Sequence, residues 1–446
     1  MRPPLISYYG DDLTGSTDVM EALSLGGVPT VLFLRVPNAP LLARFADRRA
    51  IGLAGTSRSE TPEWMEENLA PAFKWLRSLG AAVCHYKVCS TFDSGPGVGS
   101  IGRAVEIGRR VFAQRTVPLV VGAPQLKRYT AFGNLFAAYR GTVYRIDRHP
   151  VMSRHPVTPM YEADLLAHLS HQTSLRSALI DLAALRAPDV SARVDAAAGE
   201  AEMVLLDVAD TETQELAGRE LWRRAREHGA FVMGSSGVEY ALLPEWEKEG
   251  LAAGPTEFPP LASVDQLAVV SGSVSPTTEA QIRFARNAGF ETVAVDPIHL
   301  SGDDALGTIE NAVRAGMDAL GAGRSVVLHT ALGPDGDRGA EIDQDVGARH
   351  RLGCGLGDIL KRLVVGANLR RAVIAGGDTS SHALRQLGVD ALTVRMPLPQ
   401  TPGSPLCVAH AESSRIDGLE IALKGGQIGL DDYFLKIRDG DRHAPT

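Results

Sequence analysis

The sequence predicts an α/β protein of two domains, each a mostly parallel sheet covered by helices, and three observations carry that expectation. Short apolar runs alternate with helical patterns along most of the chain, as strands buried under crossover helices require. A Pro-rich stretch, Gly254-Pro255-Thr256-Glu257-Phe258-Pro259-Pro260, interrupts the alternation. At 446 residues the chain exceeds one ordinary domain. The expected partition is a first domain over residues 1–253, a linker over 254–262 and a second domain over 263–446.

Leu5-Ile6 begins the first strand, and Val19 to Leu23 read as a helix closed by Gly26-Gly27. Further strands are expected at Val28 to Leu34, Ala50 to Ala54, Ala82 to Val88, Pro118 to Val121, Glu202 to Val208 and Ala230 to Met233, with helices between them such as Pro62 to Leu79. Between about Thr142 and Met160 the pattern breaks into an excursion. A second alternation starts at Gln266 to Val270 and turns at Pro276, which suits the first turn of a helix reaching Asn287. Strands at Thr292 to Val295, Ser325 to His329 and Arg371 to Ala375 follow, and the stretch from Leu392 to Lys424 is richer in β pattern.

Composition narrows the class of function. Hydrophobic residues make up 44% and charged residues 22%, which is a globular composition with ample core. A formal charge of −8 argues against a nucleic-acid groove. No apolar run has the length of a membrane span, and the first residues carry no secretory h-region. Cys84, Cys89, Cys354 and Cys407 lack the spacing of a zinc site and fit reduced thiols in a cytoplasm.

The chemistry is expected first at Tyr8 to Asp18, where Asp11 and Asp12 follow a strand at the edge where open α/β sheets bind ligands. Gly10 and Gly15 flank them and allow close approach of backbone to a ligand, although a helix cap alone would also explain one aspartate. Cations and hydroxyls cluster at other strand ends: Arg58, Lys87 with Ser90 and Asp93, and Lys127-Arg128-Tyr129-Thr130. An Arg or Lys there suits a substrate carboxylate. His155 lies in a Pro-bounded loop.

Two turns in the second half join an apolar strand to a helix: Ser271-Gly272-Ser273-Val274-Ser275-Pro276 and Ala375-Gly376-Gly377-Asp378-Thr379-Ser380-Ser381. Backbone N–H groups at such helix starts form anion sites suited to phosphates. Gly425-Gly426 breaks a later strand. Gly97-Val98-Gly99-Ser100-Ile101-Gly102 has the spacing of a dinucleotide loop but lacks the acidic residue expected at the end of the next strand, and no Walker A sequence is present.

Taken in order, Gly10 to Gly15, Lys87 to Ser94, His155 to Met160, Ser271 to Pro276, Gly376 to Ser380 and Ala422 to Gly429 resemble the four-carbon acid sugar kinase family over nearly the whole chain. The resemblance implies an N-terminal domain for a sugar acid such as 3-oxo-tetronate, threonate or erythronate, a C-terminal domain for ATP, and reaction in the cleft between them. It puts Asp11, Asp12, Arg58 and Lys87 on the substrate side; Ser90, Asp93, Arg128 and His155 are further expected substrate contacts. Ser271, Ser273, Ser275, Gly376, Gly377, Asp378, Thr379, Gly425 and Gly426 fall on the nucleotide side.

Relatives usually read Ala-Asp-Asp-Leu-Thr-Gly-Ala, whereas here Tyr9 stands before the aspartates and Ser16 follows the glycine; a Gly-Arg-Thr step is also replaced around Lys127 to Thr130. Asp12, ahead of Asp11, is expected to accept the proton of the terminal hydroxyl. Arg58 and Lys87 are expected to hold the carboxylate. Mg²⁺ is expected on the phosphates, its protein ligands unassigned beyond the candidates Asp378 and Asp296. The rival readings are an NAD-dependent sugar-acid dehydrogenase and a two-lobed sugar-acid sensor. Small-molecule sugar acid is the expected partner, with no nucleic acid or membrane, and assembly into a homo-oligomer is left open.

Overall fold

A computed structural model describes residues 2–155, 157–342, 344–345 and 347–440, with the backbone alone at Asp378. The chain divides into two compact units, residues 1–256 and 257–446. No described helix is long and apolar enough to cross a membrane, and no disulfide joins the four cysteines.

The first unit contains β1 (Ile6–Gly10), β2 (Thr30–Phe33), β3 (Ala50–Ala54), β4 (Val83–Lys87), β5 (Val117–Val120), β6 (Arg128–Ala131), β7 (Asn134–Tyr139), β8 (Thr142–Arg145), β9 (Ser177–Ile180), β10 (Met203–Leu206) and β11 (Phe231–Gly234). Its main sheet runs β2-β3-β1-β4-β11-β5-β10-β9, every pair parallel. Helices cross between them. Thr61 caps the helix Pro62–Ser78, with Pro62 in its first turn, and a capping box at Asp210 and Thr213 opens Thr211–His228.

From β1 the chain passes to the outer strand β2, returns to β3 beside β1, and then crosses to β4 on the other side. That makes β1 the switch point of the sheet. Gly10 lies in register with Ala54 and with Lys87, so the loops after β1, β3 and β4 leave the sheet side by side.

Two departures from the sequence reading have simple causes. The excursion begins at Arg128, ahead of Thr142, because β6, β7 and β8 form a separate antiparallel sheet whose exposed faces give little apolar pattern. The edge strand β9 was not foreseen, being only half buried.

The second unit contains β12 (Ala268–Ser271), β13 (Glu291–Ala294), β14 (Val326–His329), β15 (Arg371–Ala375), β16 (Val389–Met396), β17 (Leu406–Ala411) and β18 (Glu420–Lys424). The order is β13-β14-β12-β15-β18-β17-β16, parallel as far as β18 and antiparallel beyond it. Ser271, Ala375 and Lys424 end three adjacent strands in register. The three glycine-bearing turns therefore emerge from one edge of the sheet. Beneath them Val269, Val373 and Ala422 face helix Pro276–Asn287 in a core that includes Ile282 and Phe434.

Candidate active site

Asp11 and Asp12 adopt different roles because the chain turns into helix Leu13–Leu25 between them. Asp12 is its N-cap, accepting from the Gly15 N–H, while its other oxygen accepts from Arg58 Nη1 at 2.9 Å. Asp11 points inward, 5% exposed, and its Oδ1 has no hydrogen-bond partner. Burial first, and the neighbouring Asp12 carboxylate second, push its pKa up to about 7 against the pull of Arg58 and Lys87. Of the two carboxyls named for the proton, Asp11 is thus the buried one without a hydrogen bond at Oδ1, whereas Asp12 is engaged as cap and ion-pair partner.

Arg58 is committed to the protein. Its Nη2 donates to both oxygens of Asp93 at 3.0 and 2.9 Å while Nη1 holds Asp12. Asp93 also accepts from Thr91 Oγ1 at 2.5 Å and Thr158 Oγ1 at 3.1 Å, and despite a burial that opposes ionisation the Arg58 charge holds its pKa below the ordinary range. The guanidinium thus braces two loops through the carboxylates of Asp12 and Asp93.

Lys87 is likewise turned inward, 2% exposed, with Nζ 3.8 Å from Asp18 Oδ2. Burial alone would lower its pKa, but Asp18 and Asp11 together hold the ammonium above its ordinary value. A side chain at Gly15 would meet Asp12 Oδ1 at 2.8 Å and Lys87 Nζ at 2.9 Å, so glycine is what allows these groups to converge.

Arg128 is the cation left over. Its Nη1 donates only to the carbonyls of Leu126 and Lys127, with a long contact to Ala138, and its Nε is buried without a partner. Desolvation lowers its pKa, and the Cys89 sulfur that it faces electrostatically also feels Arg58, Asp93 and Lys87, which ties β6 to the same site. His155 accepts from the Thr158 N–H at 3.1 Å and adds to the positive potential at Asp93. Ser90 sits half-buried in the same loop after β4.

In the second unit a cavity of about 500 Å³ brings the three turns together through Gly272, Ser273, Ser275, Gly376, Gly377, Thr379 and Gly426. The hydroxyls are already organised: Ser275 caps helix Pro276–Asn287, and Ser273 Oγ pairs with Thr278 Oγ1 at 3.0 Å. Gly376, by contrast, provides no side-chain cap to helix Gly377–Leu387, which leaves its first N–H groups for an anion. A Cβ at Gly272 would lie 2.3 Å from Thr379 Oγ1. Ser271 is fully buried behind this wall, and Gly425 precedes the lining residue Gly426. The Asp378 side chain lies outside the described residues.

Sequence reasoning missed three contributors: Asp337 and Arg349, which also line the cavity, and Lys424 below it. A lysine closing an otherwise apolar strand was the available signal for the last. The loop Gly97 to Gly102 is not a dinucleotide cradle: Ser100 caps its own helix, the Gly99 N–H donates to Glu60, and Gly99 lies against the Arg58 carbonyl. Asp296 caps the helix Pro297–Ser301 and pairs with Arg338, so its carboxylate is already engaged.

One α/β unit thus carries a dense cluster of charged side chains and the other a cavity lined by glycine-bearing turns. The domain families agree: residues 6–242 match the sugar-binding N-terminal domain and residues 268–434 the nucleotide-binding C-terminal domain. The chain belongs to the four-carbon acid sugar kinase family and is an enzyme that phosphorylates a sugar acid with a nucleotide as donor. It is similar to 3-oxo-isoapionate kinase of Paraburkholderia graminis, 48% identical with 98% of this chain and 94% of that protein covered. It is also similar to 3-oxo-tetronate kinase of Methylobacterium radiotolerans, 31% identical with 96% and 97% covered. A solved Salmonella typhimurium protein shares the fold at a TM-score of 0.77 and 23% identity, covering 97% of each chain.

Proposed function

We propose that the enzyme transfers the γ-phosphoryl group of ATP to the terminal hydroxyl of a branched sugar acid of the 3-oxo-isoapionate type. The observation that carries the substrate choice is the identity of 48% to a 3-oxo-isoapionate kinase against 31% to a 3-oxo-tetronate kinase, each over nearly the full chain. Residues 1–256 would act as the sugar-acid domain and residues 257–446 as the nucleotide domain.

Asp11 takes the hydroxyl proton, supported by its unpartnered oxygen and a pKa raised to about 7. Arg128 takes the carboxylate, supported by its lack of any carboxylate partner among the described residues. Arg58, Asp12, Asp93 and Thr158 fix the loops that hold both. Phosphoryl transfer needs this positioning more than covalent chemistry.

Mg²⁺ fits the donor set. No described cluster of three metal-binding side chains exists, and Asp337 is the carboxylate in the described cavity wall, as suits an ion held chiefly by phosphates and water. Bound there, it would neutralise phosphate charge. ADP release measured with 3-oxo-isoapionate, 3-oxo-tetronate, threonate and erythronate tests the proposal. The expected order places 3-oxo-isoapionate first in kcat/KM, and a higher value for any unbranched acid would overturn the substrate choice.

A further inference from the structure

Lys424 is joined to all three turns of the nucleotide cavity without being among its lining residues. Lys424 ends β18 with its ammonium buried, 1% exposed. Nζ donates to Thr278 Oγ1 at 3.0 Å, to the Gly425 carbonyl at 2.8 Å and to the Gly426 carbonyl at 3.3 Å. Thr278 in turn pairs with Ser273 and donates to the Gly426 carbonyl, both at 3.0 Å. The Lys424 carbonyl accepts from the Gly376 N–H at 2.8 Å. Its side chain therefore fastens the first turn to the third, and its backbone holds the second.

All the acceptors are neutral, so the positive charge has no counter-charge among the described residues. On helix Pro276–Asn287, Glu279 pairs with Arg283 and Arg286 donates to Thr292. At the far end of β15 and β18, Arg371 pairs with Glu420; on β17, His410 meets Thr393. On helix Gly377–Leu387, His382 meets His350, and past the third turn Asp432 pairs with Lys436. None of these reaches the ammonium. A buried lysine in neutral surroundings is costly, and nothing in the packing requires one. A polyphosphate in the cavity would supply the missing negative charge.

We propose that Lys424 is a positioning residue of the nucleotide site, a staple for the three turns and the resident counter-charge of the nucleotide's phosphates, so that nucleotide binding is linked to uptake of a proton by its amine. The inference rests on the nucleotide-domain reading of the second unit. Desolvation pushes the Lys424 pKa down to about 8. With a bound polyanion the value rises, so affinity is full below that range and falls as pH increases through it. A neutral amine has only two N–H groups for three acceptors and also loosens the turns.

Calorimetric titration of the full chain with ADP, in two buffers of different ionisation enthalpy between about pH 7 and 9, tests this. The nucleotide itself is fully ionised at the upper end of that window. Wild type is expected to take up a proton on binding, with Kd rising by up to about tenfold per pH unit above the transition. Lys424→Gln, or Lys424→Met if the amide misfolds, is expected to bind at least about tenfold more weakly at pH 7 and to lose both the uptake and the slope. A staple without an electrostatic role would leave wild-type affinity flat with no uptake, and that result would overturn the proposal. So would an unchanged slope in Lys424→Gln. Wild type failing to bind ADP at any pH would instead remove the nucleotide-domain reading on which the proposal rests.

Discussion

The two halves of the machinery solve recognition with opposite means. In the first unit, Asp11, Asp12, Asp18, Asp93, Arg58, Lys87 and Arg128 form a cluster of charged side chains drawn from strand ends, loops and a helix start. In the second, glycines, hydroxyls and open helix N–H groups line the cavity, with one lysine underneath. A small polyhydroxy acid offers few atoms and must be read by directed partners that are left unpaired by the wrong analogue. A polyphosphate offers charge and can be held by main chain. Substitutions should therefore be severe and specific in the first region and graded in the second.

The largest effect is expected for Asp11→Asn, which removes the proton acceptor and should lower kcat by about 10² to 10⁴ while leaving the Kd for ADP unchanged, as read by steady-state kinetics and calorimetry. The same variant should melt higher than wild type at pH 8. A carboxylate whose pKa is raised in the folded state is held protonated below that value, and its ionisation destabilises the fold as pH rises through about 7. Arg128→Met comes next, with an increase of KM for the sugar acid of about tenfold to 10² and an unchanged Kd for ADP.

Arg58 separates a brace from a ligand. Arg58→Met leaves the buried Asp93 and the half-exposed Asp12 without their cation, and should cost about 2 kcal/mol of stability by denaturant titration. A residue that merely bound substrate would shift KM and leave stability alone. In the second unit, Gly272→Ala drives a methyl into Thr379 Oγ1 and should weaken ADP by about tenfold, with a small effect on the KM for the sugar acid.

The smallest effect concerns the family departure at the aspartate turn. A Cβ at Gly10 would sit 2.0 Å from Ser16 Oγ, which itself donates to the Asp12 carbonyl at 2.6 Å. The bare glycine and the serine therefore share one space. Gly10→Ala alone should cost about 1–3 kcal/mol, and Gly10→Ala with Ser16→Ala should recover most of it in a double-mutant cycle. Gly10 and Ser16 are thus a packing pair. Tyr9 belongs to packing as well: its ring stacks on Tyr86 at 6.0 Å and lies edge-on to Phe73.

The fold was legible where burial is two-sided. The continuous apolar runs at Ala50–Ala54 and Arg371–Ala375 gave those strands their bounds, and Pro276 opened its helix, because parallel strands and proline caps leave local signatures. The half-exposed strands β6 to β9 leave none. At the site, the sequence singled out loops that the fold brings together after β1, β3 and β4, while the engagement of each group depends on partners distant in sequence. Arg58 and Arg128 look alike as residues, and only the positions of Asp12 and Asp93 decide that one is a brace and the other is open. Asp11 and Asp12 are likewise equivalent until the helix start turns one inward. The buried Lys424 left one signal, a lysine at the end of a run that otherwise reads as core.

The central claim, that Asp11 and not Asp12 receives the proton, is tested most directly by the pH profile of kcat/KM for Asp12→Asn beside wild type. Asparagine caps a helix as well as aspartate, so the turn should survive. The account predicts that both enzymes rise to a plateau through an apparent pKa near 7, with Asp12→Asn within about tenfold of wild type at the plateau. A loss of about 10² or more in Asp12→Asn, with the pH-dependent rise abolished, would contradict it and return the role to Asp12.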